Sequence, residues 1–416
     1  MERYSVFVVA FFTVCLLFSP SAWGEFAEPL DEPVPYLHTF SPNMGEITSL
    51  TDDEHVEADL LNGDLHVRLP LLIHFRTEAD TNLMFGLHYS SANGTAGTLG
   101  SGWRHTYDVT VNYAYNGGSP TLSLTGVSGR TLPFTNPGGG WISQPSFGCY
   151  LTATVQGTPS TPTGFVVSDR WGRTLNFYPS GILTSITDYF GRTTNLAYSG
   201  GQLTNVTDPF GSSISLNYTG GLLSTVTDNT LTGSPVYLQF GYDASNRLSS
   251  VTEGLSPGPF AVYSFTYAGT TWLLDTYTDP DSGVHSFGFT SSALTSITDP
   301  VANTVSISYG AATATVTDRT ANTWTYYFST TVGALTQLDY PALGGTTYSL
   351  LQSFDASRNM TSRTEPGRAT WSLSYDTSGN RLSRSTSFSW NSVVETVGQS
   401  WTYNAQNLPI TYTDGN

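Results

Sequence analysis

Short runs of alternating apolar and polar residues are the main pattern along this chain. Leu65, Val67 and Leu69 alternate with polar residues, and the run from Ser213 to Tyr218 alternates in the same way. A period of two residues places every second side chain on one face of a β-strand. Similar runs continue to the end of the chain, separated by the Gly, Pro, Asn and Asp of tight turns. The pattern predicts an all-β protein.

One segment recurs almost unchanged. Leu183–Asp188, Leu203–Asp208, Leu223–Asp228 and Leu294–Asp299 share the pattern Leu-x-x-(Ile/Val)-Thr-Asp, and the first three follow one another at intervals of 20 residues. The Thr-Asp pair also occurs with Asp279 and with Asp318. In the repeat between Asp228 and Asp279, Glu253 stands where the other repeats have Asp. A period of this length is typical of repeat proteins. Each copy contains two strands and a turn, a hairpin that cannot bury its apolar face unless it stacks on its neighbours.

The recurrent Asp has a simple structural explanation. In Asp208-Pro209-Phe210-Gly211, Asp can accept hydrogen bonds from its own downstream backbone and Gly can adopt positive φ. We therefore interpret the recurrent Asp as a turn residue, with a calcium site or a catalytic carboxylate as the alternatives. Asp279 and Asp281, which flank Pro280, could bind a cation, but we interpret them as turn residues.

The start of the chain has the features of a secretory signal peptide, which we expect at residues 1–24. Val6 to Phe18 form a 13-residue apolar stretch, and Ala22-Trp23-Gly24 offers a small-x-small cleavage site. This stretch is too short to cross a bilayer as a helix, and we expect no membrane span. An acidic, Pro-rich leader is expected at residues 25–59, a small N-terminal β domain at 60–164 and the hairpin repeats at 165–416.

Composition supports a packed β protein. Aromatic residues make up 13% of the 416 residues and supply ample apolar area, while charged residues make up only 11%. The net charge is −17, and all fifteen cations are Arg. We expect no nucleic-acid partner, because binding nucleic acid requires a cationic surface.

Candidate chemistry is sparse. Removal of the signal peptide would leave Cys149 as the single cysteine, interpreted as a buried thiol that forms no intrachain disulfide. The histidines are His38, His55, His66, His74, His88, His105 and His285, and their spacing matches no common metal motif. The sequence has no nucleophile elbow or phosphate loop. We predict no catalytic, cofactor-binding or metal-binding residues, no cofactor and no enzymatic activity.

Several repeats carry a second motif, Tyr-Asp, at Gly241–Leu248 and Ser374–Leu382. These segments resemble the repeats of the Rhs and YD-repeat family. Asp169–Leu175 followed by Gly181–Asp188 resembles that family's opening repeat, and Asn62–His105 is similar to its preceding β domain. The resemblance implies tandem hairpins that form a spiral sheet or partial β-shell around a variable C-terminal domain, often a toxin. Because Asn416 falls within a turn, with no plug segment or cargo before it, we expect the repeats to be incomplete at the C-terminus.

Two functions follow from these observations. The first is a non-enzymatic shell segment of a secreted or cell-surface protein that encloses or delivers an effector domain. The alternative is an adhesion or carbohydrate-binding module, since exposed Trp and Tyr can stack on the sugars of a cell-surface glycan. We also expect self-association through open strand edges, where unpaired backbone groups can add another strand.

Overall fold

Alternating sequence patterns become β-strands throughout the computed structural model. It describes residues 49–51, 55–74, 83–136, 140–143, 151–169, 172–230, 236–254, 260–390, 393–404 and 409–415. All regular elements in these ranges are β-strands, which confirms the predicted all-β class. The described residues include no helix of the length and apolarity needed to cross a membrane. The predicted signal peptide, His38 and Cys149 lie outside the described residues.

Seven strands come first among the described residues. They are β1 Ser49–Thr51, β2 Val56–Asp59, β3 Asp64–His74, β4 Leu83–Ser90, β5 Ala96–Gly97, β6 Gly100–Ser101 and β7 Trp103–His105. Strands β1, β2, β3, β4 and β7 form an antiparallel sheet in that order, here called the N-terminal sheet, while β5 and β6 pair with each other. Leu65, Val67 and Leu69 of β3 are buried, as their alternation predicts.

The other twenty-eight strands form one continuous antiparallel sheet, here called the repeat sheet. They are β8 Thr110–Asn116, β9 Ser119–Thr125, β10 Thr131–Thr135, β11 Trp141–Ser143, β12 Leu151–Thr158, β13 Thr161–Asp169, β14 Thr174–Phe177, β15 Leu183–Thr187, β16 Thr193–Ser199, β17 Gln202–Thr207, β18 Ser213–Thr219, β19 Leu222–Asp228, β20 Val236–Tyr242, β21 Leu248–Glu253, β22 Ala261–Tyr267, β23 Leu274–Thr278, β24 Val284–Thr290, β25 Ala293–Thr298, β26 Thr304–Tyr309, β27 Thr313–Thr317, β28 Thr323–Ser329, β29 Ala334–Asp339, β30 Ser349–Phe354, β31 Met360–Thr364, β32 Trp371–Tyr375, β33 Arg381–Trp390, β34 Val393–Tyr403 and β35 Pro409–Asp414. Each strand pairs with the next one along the chain, as tandem hairpins require.

The first strand of the repeat sheet, β8, contacts a later part of the same sheet. Thr110 of β8 forms a bridge with Ile182, and the N–H of Val111 donates to the carbonyl of Gly181 at 2.9 Å. Gly181 has φ of +82°, and a Cβ at this position would collide with the Val111 carbonyl, so glycine is required. The sheet therefore curls far enough for β8 to reach the turn between β14 and β15.

A single apolar cluster joins the two sheets. It includes Phe85 and Trp103 from the N-terminal sheet together with Leu223, Leu248 and Leu274 from the repeat sheet. We call the face of the repeat sheet that carries these leucines the inner face. Full burial of such a side chain stabilises the fold by roughly 1.5–3 kcal/mol, so the contact between the sheets is a main source of stability.

Strand pairing in both sheets crosses boundaries that were expected from the sequence. The expected leader at 25–59 contains β1 and β2, because Val56 and Ala58 alternate with Glu57 and are completely buried. Strands β8 to β12, which fall within the expected N-terminal domain at 60–164, pair in the repeat sheet. Strands β8 to β12 lack the Thr-Asp ending by which the repeats were recognised, although they pair in the same way.

Candidate interaction surface

Ten hairpins of the repeat sheet share a shift in register. In each hairpin the second strand has one extra residue at the shift. The residue just before that extra residue is here called the bulge position: Leu183, Leu203, Leu223, Leu248, Leu274, Leu294, Leu335, Met360, Arg381 and Pro409. An aromatic residue stands opposite in every case: Phe177, Tyr198, Tyr218, Tyr242, Tyr267, Phe289, Phe328, Phe354, Tyr375 and Tyr403. A β-bulge disrupts the ladder locally, which leaves backbone groups there for other partners. The seven leucines are at most 4% exposed, so their side chains are part of the core.

Tyrosine hydroxyls link neighbouring hairpins at these positions. Each donates to the carbonyl of the bulge residue in an earlier hairpin: Tyr218 to Leu203 at 2.9 Å, Tyr242 to Leu223 at 2.7 Å, Tyr267 to Leu248 at 2.6 Å, Tyr309 to Leu294 at 2.9 Å and Tyr403 to Arg381 at 3.0 Å. Burial raises the pKa of the Tyr218, Tyr242 and Tyr267 hydroxyls, which keeps them protonated as donors. The tyrosine of the Tyr-Asp motif thus has a structural role at Tyr242.

The N-terminal sheet and its loops accept the matching N–H groups. Leu223 N–H donates to the Thr98 carbonyl at 2.8 Å, and Leu294 N–H donates to the Gly63 carbonyl at 2.9 Å. Between them, Leu274 N–H donates to the hydroxyl of Tyr89 at 3.0 Å. Three different parts of the N-terminal region therefore bind three hairpins through the same backbone group. Sequence reasoning did not find this arrangement, although the regular Leu before each Thr-Asp was its visible sign.

Aromatic residues fill the centre of this contact. Trp103 donates from Nε1 to the hydroxyl of Tyr267 at 2.9 Å, and its ring lies 4.7 Å from that of Phe265 between centroids. Tyr89 donates to the Trp272 carbonyl at 2.9 Å, and Trp272 donates back to the Ser91 carbonyl at 2.9 Å. Since these groups are buried or half-buried, the hydrogen bonds satisfy polar atoms that would otherwise be costly to bury.

Within the described part of the chain, nine aspartates hold turns in one geometry. Their Oδ1 atoms accept the backbone N–H four residues further on, at 2.8–3.0 Å: Asp169, Asp188, Asp208, Asp243, Asp279, Asp299, Asp318, Asp355 and Asp376. In most of these turns the other carboxylate oxygen, Oδ2, accepts a hydrogen bond from the side chain of that fourth residue, which is Arg or Asn. Asp188, for example, accepts from Arg192 Nε at 2.6 Å. Asp228 accepts the Thr230 N–H at 2.8 Å instead. These bonds confirm the turn interpretation of the recurrent Asp, while Asp281 is exposed in the turn that Asp279 holds.

Glu253, which replaces the recurrent Asp in one repeat, has different surroundings. The hydroxyls of Tyr237 and Tyr263 hydrogen-bond to its carboxylate. Burial is the largest influence and, despite these hydrogen bonds, it raises the pKa of Glu253 to about 7. The pKa of Tyr263 rises to about 12 through burial and the nearby Glu253 and Asp279 charges. This cluster can take up or release one proton near neutral pH.

One group of potential metal ligands occurs within the described residues. Suitable atoms of Asp59, Asp64 and His66 lie within 4.8 Å of one another. The Arg130 guanidinium forms an ion pair with Asp59 and lies 3.3 Å from His66 Nε2. Burial lowers the pKa of His66 to about 4, which keeps the ring neutral. A guanidinium already supplies the positive charge here, so the cluster fits an ion pair better than a metal ion.

The remaining described histidines are spread over both sheets. His88 and His105 are buried in β4 and β7, and His105 Nε2 lies 3.2 Å from an Asp108 oxygen. His285 is buried in β24 with its ring stacked on Tyr277 at 5.4 Å between centroids. His55 is half-buried, and the side chain of His74 lies outside the described residues. The metal-ligand group of Asp59, Asp64 and His66 does not include His55, His88, His105 or His285.

These features define the chain as a tandem β-hairpin repeat protein whose inner face binds the chain's own N-terminal sheet. Residues 67–134 match a family model described as a domain of unknown function, DUF6531. The match covers most of the N-terminal sheet and the first strands of the repeat sheet. No curated protein matches the chain.

Chains in several solved structures of Tc toxins are similar to this one. A chain of the Photorhabdus luminescens Tc holotoxin pore, carrying a TccC3 mutation, is 10% identical with a TM-score of 0.42, and the match covers 86% of this chain and 25% of that one. The TcdB2–TccC3–Cdc42 crystal structure is 10% identical with a TM-score of 0.41, covering 85% of this chain and 25% of the other. The crystal structure of TcdB2–TccC3 without its hypervariable C-terminal region is 10% identical with a TM-score of 0.33. That match covers 83% of this chain and 26% of the other. The chain thus spans about a quarter of the length of the chains it matches.

Proposed function

We propose that this chain is a non-enzymatic wall segment of a secreted or cell-surface YD-repeat protein of the Rhs type. Its inner face would hold another polypeptide region, such as an effector domain. The observation that carries the proposal is the row of bulge positions, which presents backbone N–H groups to a folded sheet on the inner side. A surface that already holds one polypeptide region in this way is suited to hold a second.

The Tyr-Asp motif supports the YD-repeat assignment. Tyr242 bonds to the preceding hairpin, and Asp243 accepts the N–H groups of Ser245 and Arg247 at 2.8 and 3.0 Å. Asp376 makes the equivalent bonds to Ser378 and Asn380 at 2.9 and 2.8 Å. The motif therefore encodes one turn and one link between hairpins, which is the repeating unit that a curved wall requires.

A protection experiment tests the wall function. The complete reading frame of the native gene would be expressed and treated with trypsin before and after partial unfolding in urea. We expect a polypeptide region outside residues 1–416 to resist cleavage in the native protein and to become sensitive once the repeat sheet opens. N-terminal sequencing of exported protein would test secretion, with cleavage after Gly24 expected. A reading frame with no further polypeptide region, or equal cleavage in both states, would contradict the proposal.

A second candidate, carbohydrate binding at a cell surface, is favoured by exposed aromatic rings at adjacent turns. Tyr189, Phe190 and Phe210 are 52%, 62% and 43% exposed. Such rings can stack on sugar faces, although the Arg192 guanidinium lies over the Phe190 ring at 4.8 Å. A glycan array with wild-type and Phe210→Ser proteins tests this function. Micromolar binding that the substitution abolishes would support it, and absence of binding by the wild type would exclude it.

A further inference from the structure

The turn between β29 and β30 is longer than the aspartate turns of the repeat sheet. The Tyr340 N–H donates to the Tyr348 carbonyl at 2.9 Å, and seven residues lie between these two tyrosines. In the turn between β27 and β28, the Asp318 N–H donates to the Asn322 carbonyl at 2.9 Å, with only three residues between them. We call the longer turn, residues 340–348, the Leu343 hairpin. It extends further from the ends of its strands than the aspartate turns do.

The backbone at the tip of the Leu343 hairpin is closed by its own hydrogen bonds. The Leu343 N–H donates to the Thr346 carbonyl at 2.9 Å, and the Thr346 N–H donates back to the Leu343 carbonyl at 3.1 Å. Gly344 and Gly345 between them have φ of +60° and +81°, as the tightest hairpin turns require. Pro341 has no N–H to satisfy. These main-chain groups therefore lose little when the tip leaves water.

The side chains of the Leu343 hairpin are uncharged, with an apolar group at the tip and an aromatic ring at the base. Leu343 is 74% exposed, and Ala342 beside it is exposed as well. Tyr348 at the base is 43% exposed. The adjacent acid, Asp339, lies at the base, where its carboxylate accepts a hydrogen bond from Ser349 Oγ at 2.6 Å. Polarity thus decreases from the base of the hairpin to its tip.

This gradient of polarity matches the surface layer of a lipid bilayer. Tyrosine favours the level of the headgroups, where its ring is half in an apolar medium and its hydroxyl is hydrated, whereas leucine favours the acyl chains. Three residues separate Leu343 from Tyr340, so the tip reaches at most about 10 Å beyond the base. Segments that lie in the membrane surface bury their apolar side chains by about 5–10 Å. The hairpin is therefore long enough to enter this layer.

We propose that the Leu343 hairpin inserts into the surface of a bilayer with zwitterionic headgroups. Leu343 and Ala342 enter the boundary of the acyl chains, while the hydroxyls of Tyr340 and Tyr348 remain among the headgroups. The net charge of −17 disfavours an anionic bilayer. Membrane-surface binding of this kind goes beyond the proposed wall function, because it holds the outside of the wall segment against a bilayer without crossing it.

Co-sedimentation of the whole chain with sucrose-loaded phosphatidylcholine vesicles tests the insertion. A single hairpin binds more weakly than a single myristoyl chain, so we expect binding at roughly millimolar lipid. Leu343→Ser should weaken it by about tenfold, because the tip loses its apolar side chain. The matched control is Val301→Ser, which should change binding little: Val301 is 77% exposed but lies in the short turn between β25 and β26. Equal urea midpoints of the variants would show that they fold alike.

A variant with a gain of binding completes the test. Leu343→Trp should bind the vesicles more strongly than the wild type, because Trp favours the membrane–water interface. Residues 1–24 are the same in every variant, so a difference between variants reports on the hairpin.

Four outcomes would overturn the insertion. They are absence of vesicle binding by the wild type, equal binding by the wild type and Leu343→Ser, equal weakening by Leu343→Ser and Val301→Ser, and binding confined to phosphatidylserine vesicles at low salt. Absence of vesicle binding would favour an apolar pocket of another protein as the partner of the hairpin. Trypsin protection in the complete protein is independent of all four outcomes, so the wall function and the insertion can fail separately.

Discussion

Substitution of Tyr89 by Phe tests the contact between the two sheets. The Tyr89 hydroxyl accepts the Leu274 N–H at 3.0 Å and donates to the Trp272 carbonyl at 2.9 Å. Phe keeps the ring that packs against Trp103, at 5.2 Å between centroids, and removes only the oxygen. The substitution therefore isolates the hydrogen bonds from the apolar packing.

The expected loss of stability follows from the burial of the two groups that lose their hydrogen-bond partner, the Leu274 N–H and the Trp272 carbonyl. Leu274 is completely buried, so its N–H cannot reach water, while Trp272 is half-buried and its carbonyl is partly compensated. An unsatisfied buried group costs about 1–3 kcal/mol, and we expect Tyr89→Phe to lower the free energy of unfolding by about 2–4 kcal/mol. Urea unfolding followed by tryptophan fluorescence measures this change.

Tyr115→Phe is the control for Tyr89→Phe. Tyr115 is 43% exposed in β8, and its change is expected to stay within about 0.5 kcal/mol, as for most surface substitutions. If Tyr89→Phe were as stable as Tyr115→Phe, the hydroxyl would not join the two sheets and the reasoning would be refuted.

Three further predictions concern single positions. Asp208→Ala removes the acceptor of the Phe210 and Ser212 N–H groups, both at 2.8 Å, and should lower stability by about 1–3 kcal/mol in thermal unfolding, whereas Asp281→Ala should change it little. Gly181→Ala should cost more than Gly117→Ala in urea unfolding, because both have positive φ but a Cβ meets backbone only at Gly181; equal costs would argue against the contact with Val111. The pKa of Glu253 is raised in the fold from 4.5 to about 7, so its contribution is fully present below pH 4.5 and is lost as the pH rises through 7. Glu253→Gln should therefore be more stable than the wild type at pH 8 by about 1–2 kcal/mol, after allowance for partial exposure, and the difference should shrink at acidic pH; a constant difference across pH would contradict the raised pKa.

The sequence predicted the class of fold and the hairpin repeat, because both depend on local patterns. The alternation in Ser213–Tyr218 defines a strand with one apolar face, and Asp208 with Gly211 defines its turn. These signals are contained in a few neighbouring residues. The turn role of the recurrent Asp could be inferred for the same reason.

The candidate surface could not be predicted, since it depends on contacts between distant segments. Tyr89 and Leu274 are separated by 185 residues, and Trp103 and Tyr267 by 164. Strand β2 was not predicted, because Val56 and Ala58 alternate with Glu57 over only three residues and lie near Pro and acidic residues. Likewise, the pairing of β8 to β12 with the repeats could not be predicted from Thr-Asp, because these strands lack it and strand pairing does not require it.

Residue-resolved hydrogen exchange of the bulge amides tests the central claim most directly. The N–H groups of Leu223, Leu274 and Leu294 lie at register shifts and donate to the N-terminal region. We predict that they exchange as slowly as the ladder amide of Val226, and that Tyr89→Phe accelerates exchange at Leu274 more than at Leu223 or Leu294. Exchange of all three at the rate of the turn residue Gly201 would contradict the claim that the N-terminal sheet is bound to the inner face through the bulge positions.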